Sequence, residues 1–131
     1  MGSNSIKVLG ASNHAKSKRE ENDFYATEPK ATILLMEKEK FNNVILEPAC
    51  GQGHMSEVLK SYNYNVLSSD LIDRGYGIQK DFFDYNKWAG DIITNPPYKI
   101  ALPFLKHALN IINTGSKVAL FLRLLFLEGI E

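Results

Sequence analysis

The chain predicts an α/β protein, a mostly parallel sheet with helices on both faces. Three observations lead there. Short apolar runs stand at Val44-Ile45-Leu46, Ile92-Ile93-Thr94 and Lys117 to Leu122, the pattern of strands covered on both sides. Between them, apolar residues recur at helical spacing. The first two runs stop abruptly at turn residues, so strands and helices alternate, and alternation of this kind implies crossovers that return each strand parallel to the last.

Composition agrees with one globular unit. The chain has 131 residues, 44% of them hydrophobic and 23% charged, which disfavours disorder and low-complexity classes. Lys plus Arg number 15 and Asp plus Glu 15, which excludes a strongly basic body gripping nucleic acid by charge alone. Cys50 is the only cysteine, so an internal disulfide or a multi-cysteine zinc site is excluded and a reducing compartment is expected. The longest apolar stretch, Val118 to Leu127, is about half a membrane span and is broken by Arg123. The opening MGSNSIKVLG does not look like a secretory signal, so the expectation is a cytoplasmic protein without a membrane partner.

Residues 1–22 read as a flexible basic arm, and residues 23–131 as the domain. Lys7, Lys16, Lys18 and Arg19 fall before the first carboxylate, and the stretch is mostly small or polar from Gly10. It is either a solvated tail or an arm lying near a phosphate backbone. Pro29 suits a first helical turn capped by Thr27 or Glu28, and Ile33, Leu34, Leu35 and Met36 give a broad apolar face up to Lys40. The run at 44–46 is the first predicted strand. Met55, Val58, Leu59 and Tyr62 then mark a helix, and Asn63 and Asn65 punctuate the entry to a second strand, Asn65 to Ser69, ending at Asp70. A loop holding Gly75 and Gly77 leads to a third strand before Asp81-Phe82, and the run at 92–94 is the fourth. Ala101, Phe104, Leu105, Ala108 and Ile112 form another helix, with Pro103 in its first turn and Gly115 beyond its end, before a fifth strand at Lys117 to Leu122.

Ligands of open parallel sheets sit beyond the carboxyl ends of the strands, and the unusual residues of this chain gather there. In Glu47-Pro48-Ala49-Cys50-Gly51-Gln52-Gly53, two glycines one residue apart permit a sharp turn and close approach of backbone to ligand. The spacing is not the phosphate-cradling G-x-G-x-x-G, and no Lys-Ser or Lys-Thr follows. Asp70, at the second strand's tip, is placed to accept from both hydroxyls of a ribose. Either element alone is as well explained by a tight turn or a helix cap; together they favour a nucleoside cofactor. In Asn95-Pro96-Pro97-Tyr98, the prolines fix two φ angles, remove two N–H donors and push Asn95 towards an extended conformation. That aligns two acceptors, the Asn95 side-chain oxygen and the Pro96 carbonyl, which suits a substrate NH2 group. Tyr98 offers a face for a planar ring. The competing account is a stiffened strand end with a core tyrosine.

His14, His54 and His107 are scattered, and without a second ligand at metal spacing each reads as structural or solvated, so no metal is expected. Trp88 reads as a half-buried anchor and Arg123 as a surface charge relieving an apolar run.

The order Asp23-Phe24-Tyr25-Ala26-Thr27-Glu28-Pro29, Glu47 to Gly53, Asp70, Asp81-Phe82 and Asn95-Pro96-Pro97-Tyr98 resembles S-adenosylmethionine-dependent amino-methyltransferases, and most of all small bacterial and phage DNA adenine-N6 methyltransferases. The N-P-P-Y element is shared with glutamine and ribosomal-RNA guanine-N2 methyltransferases; the D-F-Y-x-T-x-P segment tips the resemblance towards DNA adenine. It implies a Rossmann-like methyltransferase fold and S-adenosylmethionine as cofactor, with S-adenosylhomocysteine as product. Phe24, Tyr25 and Thr27 would border the methionine part; Glu47, Pro48, Gly51 and Gly53 would form the turn beneath it; Asp70 would bind the ribose. Asp81 would accept from the cofactor's adenine amino group, with Phe82 against that ring. Asn95 and Pro96 would hold the target amine, with Pro97 stiffening the turn and Tyr98 stacked on a base swung out of DNA. Cys50 reads as a packing residue rather than a nucleophile.

The family sheet has seven strands in the order 3-2-1-4-5-7-6, and the chain is expected to lack the last two. Its fifth strand would then be an exposed apolar edge, and Leu124 to Leu127 an uncovered tail, either of which could pair two copies in a homodimer. An RNA guanine or protein glutamine acceptor, or an inactive cofactor-binding remnant, are the other readings.

Overall fold

The computed structural model describes residues 5–11 and 28–123. The described elements are β1 (Ser5–Ala11), α1 (Pro29–Lys38), β2 (Val44–Glu47), α2 (His54–Ser61), β3 (Asn65–Asp70), β4 (Ile78–Gln79), β5 (Asp91–Thr94), α3 (Ala101–Ile111) and β6 (Lys117–Arg123), with single 3-10 turns at Phe82–Asp84 and Tyr98–Ile100. The strands form one sheet in the order β1-β6-β5-β2-β3-β4, and every pairing is parallel.

Alternation along the strands divides the core in two, as a period of two requires. Ile45, Ile93, Ala119 and Phe121 face α1 and α2, meeting Leu35, Met36, Met55 and Leu59. Leu46, Ile92, Val118, Leu120 and Leu122 face α3, meeting Ala101, Phe104, Ala108 and Ile111. Helices therefore cover both faces. Ile45, Leu46, Ile92 and Ile93 are wholly buried, each worth about 1.5–3 kcal/mol in removed apolar surface. No helix among the described residues is long and apolar enough to cross a membrane.

Three expectations are overturned. Ser5–Ala11, read as part of an arm, is a strand that pairs residue for residue with Lys117–Arg123. Its run Ile6-Lys7-Val8-Leu9 carries the apolar, β-branched character of a strand, outweighed in the sequence by the small polar residues after Gly10. The apolar edge expected on β6 is consequently covered, with β1 on one side and β5 on the other, and pairing of two copies through that edge has no open strand to use. Leu124 to Leu127 lie outside the described residues. The apolar face of α1 is also narrower than its composition indicates: Thr32, Leu35 and Met36 are buried, whereas Ile33 and Leu34 are exposed.

The amino ends of three strand segments are tied by one side chain. Asp91, 2% exposed, accepts from the backbone N–H of Asn42 through Oδ2 at 2.6 Å and from that of Lys117 through Oδ1 at 2.8 Å. Trp88 donates from Nε1 to the Asp91 carbonyl at 2.8 Å and packs half-buried on the α3 side of the core. Asp91→Ala strands two backbone donors and is expected to lower unfolding free energy by about 2–4 kcal/mol, with Asp91→Asn losing less. Urea unfolding checks this: the midpoint falls and the slope stays unchanged.

Candidate functional site

The chain leaves β2 for β3 on one side and, after β4, returns to place β5 on the other side of β2. The carboxyl ends of β2 and β5 therefore bound the point where strand order reverses, the usual ligand crevice of such sheets. Leu46 pairs with Ile92, so the chain beyond Glu47 and the chain beyond Thr94 emerge side by side, about 4.8 Å apart as neighbouring strands are.

Gly51 and Gly53 both adopt left-handed φ, 55° and 91°, which lets the chain reverse between β2 and α2. The turn is stapled to the end of β3. Cys50 N–H donates to the Ser69 carbonyl at 2.9 Å, and Gly51 N–H donates to Asp70 Oδ2 at 2.8 Å. Asp70 Oδ1 accepts from Ile72 N–H at 3.0 Å. Each carboxylate oxygen keeps a second lone pair, so Asp70 both shapes the turn and can still accept from a ligand hydroxyl.

Glu47 is 1% exposed and fills the space below the turn. Ser56 Oγ donates to its Oε1, and Ser68 Oγ lies 2.6 Å from Ser56 Oγ. Since Ser56 gives its hydrogen to Glu47, Ser68 gives its own to Ser56, so one hydroxyl donates to the carboxyl and the second supports the first. The Ser56 backbone N–H, in the first turn of α2, also favours the charged carboxyl. Burial outweighs these bonds and, with the nearby Asp70 charge, pushes Glu47 up to about 8. The positive end of α2 thus already faces a side chain of the protein itself. A ligand phosphate would have to displace Glu47 or lie against it.

Tyr76 was not singled out by its sequence context. Its ring lies on Gly53, where an added Cβ would come within 2.4 Å of it. Its hydroxyl donates to Glu57 Oε2 at 2.5 Å and accepts from Lys60 Nζ at 2.9 Å. Gly53, Glu57 and Lys60 form one stripe of α2, so the loop between β3 and β4 is strapped along that helix. Cys50 is buried beside Gly77, and its thiol is pushed up to about 12 by burial first and then by Glu47 and Asp70, leaving it protonated and inert as a nucleophile.

Across the crevice, Thr94 is wholly buried, Asn95 half-buried, Pro96 buried, and Pro97 and Tyr98 half-buried. Pro97 accepts from Ile100 N–H at 3.2 Å, and the turn runs directly into α3. The Asn95 Oδ1 atom is shielded from solvent, so offering it to a substrate amine requires the side chain to turn. Asp81 caps the following 3-10 turn, accepting from Phe83 N–H through Oδ1 at 2.9 Å.

Phe82 departs from its expected place. At 2% exposure, with its ring centroid 4.6 Å from Phe104 and 4.8 Å from His107, it belongs to the core and presents no face to a ligand. The accessible ring of that turn is Phe83, 38% exposed. The structure brings Glu47, Pro48, Gly51, Gly53 and Asp70 into one cluster beside Asn95, Pro96, Pro97 and Tyr98, with Asp81 two strands away from β2. Phe24, Tyr25 and Thr27 lie outside the described residues, as does His14. His54 opens α2, and His107 Nε2 lies 2.9 Å from the Tyr85 carbonyl. Among the described residues no group of three or more His, Cys, Asp or Glu is arranged to hold a metal ion.

The chain has no match among family models, curated proteins or solved structures.

Glu47 makes stability depend on pH. Its folded value of about 8 exceeds the 4.5 of an open carboxyl, so the folded chain binds the extra proton between those values. Stability should therefore be greatest below 4.5 and decline as pH rises towards 8. Glu47→Gln should flatten that decline and exceed the parent at pH 8 by on the order of a few kcal/mol, an advantage that shrinks towards pH 5 in urea melts across the range.

Proposed function

We propose that the chain is an S-adenosylmethionine-dependent methyltransferase that modifies the exocyclic N6 amine of adenine in DNA, on a Rossmann-like methyltransferase fold. The observation that carries this reading is the emergence of the Glu47–Gly53 turn and the Asn95–Tyr98 segment side by side from β2 and β5, at the reversal of strand order. The strands predicted from the sequence lie in the order 3-2-1-4-5, the order expected for that fold. The next position departs from it, because parallel β1 stands where the family's antiparallel seventh strand would.

The residues fit a nucleoside that is cationic and free of phosphate. Glu47 faces the amino end of α2, where a dinucleotide would bring its pyrophosphate, and Asp70 adds a carboxylate nearby. Asp70 would hold the ribose and Asp81 the adenine amine, with Pro48, Gly51 and Gly53 forming the floor. When bound, S-adenosylmethionine supplies a methyl group carried on a positively charged sulfur.

The chain's own contribution is orientation. Asn95 Oδ1 and the Pro96 carbonyl accept the two hydrogens of the target amine, which draws its lone pair out of conjugation with the base and aims it. Pro97 stiffens the backbone that fixes this pair, and Tyr98 supports the flat base once it has left the DNA stack. Holding the reacting atoms in line supplies much of the acceleration, and no residue need form a covalent bond to substrate. The protonated Cys50 thiol agrees with that.

Asn95→Ala should reduce methyl transfer by about a hundredfold or more while leaving S-adenosylhomocysteine affinity within about threefold. Transfer of labelled methyl to DNA, RNA and protein acceptors, beside calorimetry with S-adenosylhomocysteine, checks both halves. Methylation of RNA or protein in place of DNA would move the reading to those acceptors, and unchanged turnover in Asn95→Ala would refute that residue's role.

A further inference from the structure

We propose that Glu47 gives up a proton when a cationic ligand enters the crevice and keeps it when the ligand is neutral there, so the chain distinguishes the charged methyl donor from its uncharged-sulfur product. The proposal rests on the cofactor reading above. It stands on three structural facts. Glu47 ends β2 at the reversal point and is 1% exposed, so a nearby charge acts on it with little water between. Ser56 donates its hydroxyl hydrogen to the Glu47 carboxyl and accepts in turn from Ser68, so a relayed donor is already in place to stabilise the carboxylate when it forms. The charged and titratable groups of this cluster are Asp70 from β3, which acts on Glu47, Cys50 from the turn, and Lys60 from α2, which acts on Cys50. Asp70 is engaged with Gly51 and Ile72, the Cys50 thiol is held protonated, and Lys60 is engaged with Tyr76, so Glu47 is the group in this cluster left to respond.

The step balances simply. The carboxyl O–H of Glu47 breaks, its proton passes to buffer, and the carboxylate left behind offsets the ligand's positive charge. A value for the empty site of about 8 means that Glu47 holds its proton at neutral pH and has one to release.

Calorimetry of the full chain in buffers of different ionisation enthalpy measures the proton count directly. At pH 7, S-adenosylmethionine should release a substantial fraction of a proton and S-adenosylhomocysteine should release none. The preference for the cationic ligand should rise between pH 6 and pH 8, by up to about tenfold per unit, and level off above that. In Glu47→Gln the difference in proton release between the two ligands and the pH dependence of the preference should both vanish. Equal proton release by the two ligands, or a preference independent of pH in the unaltered chain, overturns the inference while leaving the cofactor reading intact. Failure of both ligands to bind overturns the cofactor reading itself and the inference with it.

Discussion

A buried carboxylate sets the level at which the central strands begin. Asp91 takes one backbone N–H from the segment entering β2 and another from the first residue of β6, while its own backbone starts β5. With β2 and β5 only four residues long, there is little ladder to hold register otherwise. A slip of one residue would turn Ile45 and Ile93 towards α3, and Leu46 and Ile92 towards α1 and α2. The crevice at the opposite end inherits this alignment. Glu47 and Asn95 leave the sheet next to one another because the strands beneath them start level.

At that opposite end the electrostatics run against the usual nucleotide site. In many open α/β sheets a helix amino terminus is left for a phosphate; here α2 faces Glu47, and Asp70 holds the preceding turn. Burying Glu47 weakens the folded state at neutral and alkaline pH, a burden concentrated where the chemistry is proposed. Strain and destabilisation of this kind are ordinary at working sites, and the surrounding core of Ile, Leu and Phe side chains offsets them.

Much of this was legible in the residues. Apolar runs announced β2, β5 and β6, and glycine, proline and carboxylate punctuation marked their ends, because buried strands and tight turns admit few residue types. Asp70 and the glycines came together as their spacing implied. What escaped notice was either locally weak or tertiary. Ile6-Lys7-Val8-Leu9 is a fair strand signal that a polar neighbourhood masked. Ser56 and Ser68 carry no periodic mark, and only the fold turns Ser56 onto Glu47 and Ser68 onto Ser56. Tyr76 becomes meaningful through Gly53, its partner across 23 residues. Phe82 and Phe83 are adjacent and chemically identical, so only the direction of the 3-10 turn decides which is core and which is exposed.

The pairing of β1 with β6 has a temporal side. Ser5 meets Lys117, so β1 waits during synthesis for a partner made more than a hundred residues later. At about 5–20 residues per second that interval is roughly 6–20 s. During it the segment holding Ile6, Val8 and Leu9 has no native partner, while β2, α2 and β3 can already assemble from local contacts. β1, an edge strand of the described sheet, can therefore dock only after the elements between it and β6 are in place, and closing that long loop is a slow, non-local step of folding.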